Sequence, residues 1–564
     1  MKLVTVLLIA VVICAGLGWA AYQNTLSPEK SLSPYVPAGP LLCLEAKDFG
    51  ALLKDWSSSA QKRQWIASDN YEVFSRSRLF LRLKGAGDQF ATAAGLPASM
   101  DFLSQVGGTH SVLALYDIGN LQFLYITHLP SAKSMESALW QTRSKFEPRN
   151  AGGVDFYVRR DPESQKEVAF AVSGEYLVLA TREDLIAGAL QLMSGNKANT
   201  MESEAWWAQS VKAAGSNGDL RMVLNMEKIV PSPYFRTYWV QQNITDLKQY
   251  SAAVSDLFRS SKQYREERVL IRKNESEAPL GAAEAADLVR FVPAGAGIYK
   301  AKASPSSDVC LELIQSKLLT PHLGPAPISK IAPDVQLGSG ETGSGSDLET
   351  RIDQTEVQHP TVHTDSALKQ LLDKTQITAS LQVQSTDLDK AGVFVRIRSA
   401  IVLAAGGNWD EAAVKSAFID LVRPSLTASQ LGVGWQQKSG YQQLDGLWPL
   451  VVSVHGKYVL VADDSSMMEA MLANLNRKSE MTPAILLAGF NHQHERDDFA
   501  RFSTLVDRPN RFQGNYPGSE RQPQFFSENI GSLSSTFAGV SAENVIVRAE
   551  TSKVTQTVTY EWTQ

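Results

Sequence analysis

Apolar and polar residues alternate along much of this chain in short runs bounded by glycine, the pattern of strands joined by tight turns. The segment VSGEYLVLA, Val172 to Ala180, places alternation on both sides of Ser173-Gly174. VHGKYVLVA, Val454 to Ala462, does the same around His455-Gly456. Each predicts a β-hairpin, because a two-residue turn of this kind needs positive φ and glycine adopts it without steric cost. A helix is predicted after each hairpin. Thr181 and Asp184 stand at capping spacing, and Leu185, Ile186, Ala189, Leu190 and Met193 share a face before Gly195. Met467, Met468, Met471, Leu472 and Leu475 repeat that face after the second hairpin.

The two hairpins belong to a longer repeat. VPAG opens both copies, at Val36 to Gly39 and Val292 to Gly295, and leads into LLCLEA in one and GIYKA in the other. Paired strands follow, SVLALYD and LQFLYITHL against TASLQVQ and VFVRIRSAIVLAA, and then helices expected over Ser134 to Phe146 and Trp409 to Val422. LRMVLNM at Leu220 answers AILLAGF at Ala484, and each copy ends in a hairpin with Ser-Lys near its tip, Ser261-Lys262 or Ser552-Lys553. Matching order over such a length is the mark of duplication.

The expected fold class is therefore α+β: two tandem copies of an antiparallel sheet with helices packed on one face, preceded by one N-terminal transmembrane helix. The expected divisions are an anchor at 1–22, a tether at 23–35, a first copy at 36–275, a linker at 276–289 and a second copy at 290–564. A Gly, Ser and Pro-rich insertion with no hydrophobic period interrupts the second copy at about 320–364.

The run Leu3 to Tyr22 contains no charged side chain, and roughly 20 apolar residues suffice to span a bilayer as a helix. Lys2 precedes it and the next basic residue is Lys30, so the positive-inside rule places the N-terminus in the cytoplasm and the body outside, in the periplasm. A cleaved signal peptide is the alternative reading, because Gly18-Trp19-Ala20 ends in the small-x-small pattern. Both readings export the body. Cys14 lacks the small residue that normally precedes a lipidated cysteine.

At 564 residues with 44% hydrophobic and 20% charged residues, the chain has globular composition and is long enough for several domains. A net charge of -5 and no long basic stretch exclude nucleic acid as a partner, since phosphate neutralisation needs clustered lysine and arginine. Cys43 and Cys310 are the two cysteines beyond Cys14; in an oxidising compartment a bridge between them is permitted, with buried free thiols as the alternative.

The candidate chemistry is sparse. GxGxxG at Gly338, Gly340 and Gly343 has neither the preceding strand nor the following helix of a dinucleotide site, and reads as linker. NHQHERDD, from Asn491, offers His492, His494, Glu495, Asp497 and Asp498. On a strand, His492 and His494 would share a face and Asp497 could complete a metal site; a solvated loop is the competing reading. His359 and His363 fall in the insertion, and Ser-x-x-Lys at Ser27/Lys30, Ser59/Lys62 and Ser366/Lys369 lacks the partner motifs of a β-lactamase. Tyr234, Phe235, Tyr238 and Trp239, with Trp206 and Trp207, form either an interface patch or packing. No motif implies a cofactor.

On the VPAG opening with its short strand, and on the hairpin plus helix at Val172 to Gly195 and Val454 to Leu475, the chain resembles a family of bacterial exported proteins known only as a domain of unknown function. The resemblance implies a bacterial envelope protein and no catalytic residues. The expected function is a non-enzymatic, membrane-anchored scaffold or binding protein whose partner is another envelope protein or component. The alternatives are an envelope hydrolase or metal-dependent enzyme using His492, His494 and Asp497, and a small-ligand receptor using the groove between the copies.

Overall fold

The computed structural model describes residues 31–67 and 105–562 together with scattered positions between 71 and 94; outside that description lie 133–141, 163–164, 197, 216, 233–246, 278, 320–365, 389–394, 427–433, 445–448 and 497–538. The expected anchor at 1–22, the glycine stretch, His359, His363, Asp497 and the aromatic run Tyr234 to Trp239 thus lie outside the described residues. Among the described residues no helix is long and apolar enough to cross a membrane. The chain is α+β, and the strand pairs described below are antiparallel. It forms two compact units, residues up to 54 with 88–204, and 55–87 with 205–564.

In the first unit the strands are β1 (Leu42–Ala46), β2 (His110–Asp117), β3 (Gln122–His128), β4 (Glu147–Ala151), β5 (Val154–Arg160), β6 (Glu167–Ser173) and β7 (Tyr176–Ala180). They pair in the order β1-β2-β3-β7-β6-β5-β4. The second unit holds β8 (Leu220–Asn225), β9 (Tyr250–Arg259) and β10 (Gln263–Arg272), followed by β11 (Ile298–Ala303), β12 (Ile377–Leu388), β13 (Val395–Ala405), β14 (Trp435–Gln437) and β15 (Gln442–Leu444). It is completed by β16 (Leu450–His455), β17 (Tyr458–Ala462), β18 (Leu486–Phe490), β19 (Val540–Ala549) and β20 (Lys553–Trp562). Here β11-β12-β13-β17-β16-β15-β14 repeats the pairing order of β1 to β7. The run β18-β19-β20 likewise repeats β8-β9-β10.

The hairpins form where the alternation places them. Gly174 (φ 59°) and Gly456 (φ 56°) carry the turns of β6-β7 and β16-β17, the left-handed conformation that an L side chain resists. The helices behind them, Glu183–Met193 and Ser465–Ala473, bury Leu185, Ile186, Ala189 and Leu190 in one and Met467, Met468 and Met471 in the other. The expected Thr181 cap is not made. Arg182 is the N-cap residue and gives no side-chain cap, because the Thr181 hydroxyl is taken by the Phe123 N–H at 2.8 Å. In the second copy Asp464 does cap, accepting the Met467 N–H at 2.9 Å. Of the helix expected over Ser134 to Phe146, the described part is a short 3-10 turn, Arg143–Lys145; the helix expected from Trp409 spans Glu411–Leu426.

Helices cover more than one face of the second sheet, which corrects the one-sided expectation. Leu381, Val383, Val402 and Leu460 pack with the helices Ala282–Leu288 and Ser465–Ala473. Ile401, Leu403, Val452 and Val461 pack with Ser307–Ile314, Ala367–Lys374 and Val414 to Phe418. Two-sided burial explains the near-continuous apolar sequence of IVLAA and YVLVA, where a one-sided sheet would alternate strictly.

The end hairpins correct the sequence register by one residue. The turn bonds are Ser260 N–H to Gln263 O (3.0 Å) and Glu550 N–H to Lys553 O (2.8 Å), so β9 and β10 correspond to β19 and β20 at a spacing of 290 residues. Matching Ser-Lys to Ser-Lys would place the copies one position out of step. At this spacing the β10-β20 ladder is symmetric about Glu267↔Thr557: Glu266 faces Val558 and Arg268 faces Gln556. Equivalent strands meet as they would across a homodimer's two-fold axis.

Candidate functional site

Three polar assemblies stand out from the apolar frame. The first is where the chain enters the body. Glu45 on β1 is 8% exposed and His110 on β2 is 7% exposed, with Glu45 Oε1 and His110 Nε2 3.1 Å apart. The Leu32 N–H donates to Glu45 Oε1 at 2.9 Å and the Ser31 hydroxyl at 2.8 Å. Burial alone would raise the Glu45 carboxyl; the bonds from His110, Leu32 and Ser31 outweigh it and hold the group below the usual range. Further along, the Ser33 hydroxyl donates to Glu202 (2.6 Å) and the Gly39 N–H to Glu204 (3.0 Å). A serine, a histidine and acids meet here, but in the order Ser31–Glu45–His110. The Ser31 hydroxyl donates to Glu45 Oε1, the oxygen that His110 Nε2 also meets, so the serine is bonded to the carboxylate and not to the imidazole of a Ser-His-acid relay. The arrangement ties the segment 31–39 to the sheet.

The second assembly contains the sequence-predicted histidines. Residues 492–496 are helical, so neither the strand geometry nor the loop holds. Asn491 Oδ1 caps this turn by accepting the His494 N–H at 3.1 Å, as Asn225 accepts the Lys228 N–H at 3.2 Å after β8. The imidazoles serve different neighbours. His494 Nε2 is 3.1 Å from the Ser385 hydroxyl, while His492 packs edge-on against Phe490 with its Nε2 3.6 Å from Glu543. Among the described residues no group of three His, Cys, Asp or Glu could hold a metal ion.

What the sequence reading passed over is how deeply Glu495 is buried, at 1% exposed. It accepts the Thr386 N–H (3.2 Å) and hydroxyl (2.6 Å). By the shared asparagine cap its counterpart is Ile229, an ordinary core residue 3% exposed. Gly297 makes the room: a Cβ there would overlap the Glu495 carboxylate. The signal was available in an alignment of the two capped turns, which sets Glu495 against isoleucine.

The third assembly is a cleft of ≈ 170 Å³ lined by Glu411, Lys415, Gln437, Gly440, Tyr441, Gln442 and Val452 to Val454. Ser453 on β16 is 3% exposed, and its Oγ is 2.9 Å from His455 Nε2. The pair is not a nucleophile and base. The Ser453 hydroxyl donates its proton to Gly440 O at 2.5 Å, so it can only accept from His455, whose Nε2 then carries a hydrogen. Nearby, Lys415 and Glu411 pair at 2.9 Å.

Cys43 and Cys310 are both free and buried, so the permitted bridge is not formed. Burial pushes the Cys310 thiol up to about 12 and raises Cys43 as well, which removes the thiolate that oxidation requires. Trp207 is buried and meets Trp206 edge-on at 5.8 Å, the packing alternative for that pair.

No protein-family model matches the chain, and no curated protein matches it. Among solved structures it is similar to the protein TP0453 in crystal form I, at 10% identity over 44% of this chain and 81% of that one, with a TM-score of 0.22. Crystal form III of the same protein gives 12% identity over 49% and 76%, with a TM-score of 0.19. Likeness at these scores carries no argument about what the chain does.

Proposed function

We propose that this chain is an extracytoplasmic bacterial envelope protein, held to the membrane by residues 1–22, whose duplicated body, copies 36–275 and 290–564, binds or scaffolds another envelope component without catalysing a reaction. The observation that carries the reading is the buried clasp of Glu45 on Ser31 and Leu32. It begins nine residues after Tyr22, the end of the apolar run. A body meant to float free on a leash has no use for a buried carboxylate, Glu45, that immobilises the end of the leash. A body that must be presented at a set distance from a surface does, because a short tether keeps partners at high effective concentration.

The test is twofold. Protease added to intact spheroplasts should digest the body, and alkaline carbonate should leave the chain in the membrane pellet. Chemical cross-linking in native envelopes should then trap a defined adduct that is lost when residues 1–22 are replaced by a cleaved signal peptide. A protected body, or an adduct pattern indifferent to the anchor, would remove the proposal.

A further inference from the structure

The first copy leaves open a helix face that the second copy buries. Asp48 Oδ1 accepts the Ala51 N–H at 2.8 Å at the start of the helix Phe49–Ser58, as Ser306 Oγ accepts the Val309 N–H at 3.3 Å at the start of Ser307–Ile314. The two caps set Leu52, Leu53 and Trp56 against Cys310, Leu311 and Ile314. Those last three are fully buried and belong to one core with Leu368 and Leu372. In the first copy no residue of the helix is fully buried, and Trp56 is 49% exposed.

The residues that follow pair each open apolar tip with a cation. Ile66, which ends the helix Ala60–Ile66, is 48% exposed and stands four positions after Lys62. Leu81, 55% exposed, and Lys84 are both helical and repeat the pairing at a spacing of three. Residues three or four apart share a helix face. Among the described residues the other exposed large apolar side chains, Val211, Leu280, Val309 and Ile397, are far apart in sequence. The hydrogen bonds of Lys62 and Arg63 go to Ser57 Oγ (3.5 Å) and Ser58 O (2.7 Å), so no acid among the described residues neutralises either charge. Over 55–87 six basic side chains stand against three acidic ones, in a chain whose net charge is -5. Large apolar tips interleaved with lysine and arginine are the composition of helices that lie in a membrane's headgroup layer, with tips in the acyl boundary and cations on lipid phosphates. A protein pocket would have to match tips on separate helical segments one by one; a bilayer accepts any that reach its plane.

We infer that Trp56, Lys62, Arg63, Ile66, Leu81 and Lys84 are points at which the body contacts an anionic lipid bilayer. The inference rests on the proposal above for a membrane close to the body and deepens it: the anchor holds the chain at the bilayer, and these residues lay part of the body on it.

The test places the full chain in nanodiscs of phosphatidylcholine, with or without phosphatidylglycerol, carrying bromine on the acyl chains to quench any tryptophan that reaches them. With phosphatidylglycerol present the unaltered chain should lose more emission than Trp56→Phe, and this excess should shrink in phosphatidylcholine alone. Each cation removed from an anionic surface costs roughly fivefold in partition, so Lys62→Glu combined with Arg63→Glu should weaken the contact by about 25-fold or more and remove the excess. Retention on phosphatidylcholine discs reports residues 1–22 separately: a chain that leaves those discs contradicts the anchor and not the lipid contact. Equal quenching of the unaltered chain and Trp56→Phe in anionic discs, an excess of the same size in both lipids, or one indifferent to the charge reversal overturns the inference.

Discussion

The ion pair of Arg221 and Asp256 offers a test in which the molecule supplies its own control. The two face each other across β8 and β9, at 5% and 3% side-chain exposure, joined by Arg221 Nε to Asp256 Oδ1 at 2.8 Å and Nη2 to Oδ2 at 2.7 Å. Asp256 also accepts the Gly218 N–H at 2.9 Å. Asp256→Ala strands a buried guanidinium, whose other bond is a 3.3 Å contact to Gly215 O, and such breakage costs about 3–5 kcal/mol. Loss of the Gly218 acceptor adds about 1 kcal/mol or more. In the second copy the ladder sets Leu487 against Ile546 at the corresponding positions, both packed in an apolar core. The double replacement Arg221→Leu with Asp256→Ile therefore installs a pair the fold already uses. It should lie within about 2 kcal/mol of the unaltered protein, because removing both charges also removes their desolvation cost. Urea unfolding followed by tryptophan fluorescence measures both. A single-variant loss under about 1 kcal/mol, or a double variant no more stable than Asp256→Ala, would refute the argument.

Three further expectations follow from buried ionisable groups. Burial, with Asp464 adjacent, pushes the Asp463 carboxyl up to about 6. A raised acid favours the fold while protonated, so this contribution is lost as pH climbs from about 4 through 6, and Asp463→Asn, which can still accept the Ser399 N–H, should raise Tm at pH 8 but not at pH 4 in a calorimetric pH series. Glu45 is held down, so its contribution is present above its ordinary pKa and lost as pH falls below it; Glu45→Ala, which removes the acceptor of the Leu32 N–H, should expose that amide to hydrogen exchange at neutral pH by about 2 kcal/mol of lost protection, and unchanged protection would contradict the clasp. Cys43 and Cys310 should resist maleimide in the native protein and react fully in denaturant; rapid native labelling would contradict their burial.

The architecture was legible because it rests on local rules. Glycine at a two-residue turn, alternation on both sides and an apolar helix face each speak within a dozen residues, and these set β6-β7 and β16-β17 with the helices behind them. The Ser-Lys pairs lie one position out of register because residue identity does not set the spacing: the turn bonds from Ser260 and Glu550 do, and hydrogen bonding does not depend on which residue carries the lysine. The second layer of helices on the β11 to β17 sheet was hidden because a strand buried on both faces loses its alternation and reads like any apolar run. The Glu45 clasp joins positions 13 and 14 residues apart to His110, 65 residues on, and no periodicity signals such a meeting.

Comparison between counterparts separates what the fold needs from what it merely tolerates. At two positions one copy takes the apolar solution and the other does not: Ile229 against Glu495, and Leu487 against Arg221. The apolar version is the cheaper one each time, since a buried carboxylate or guanidinium must be desolvated. Arg221 and Asp256 satisfy one another, so their cost is contained within a closed pair. Glu495 is compensated by Thr386 and by Gly297, residues that serve the carboxylate rather than the sheet.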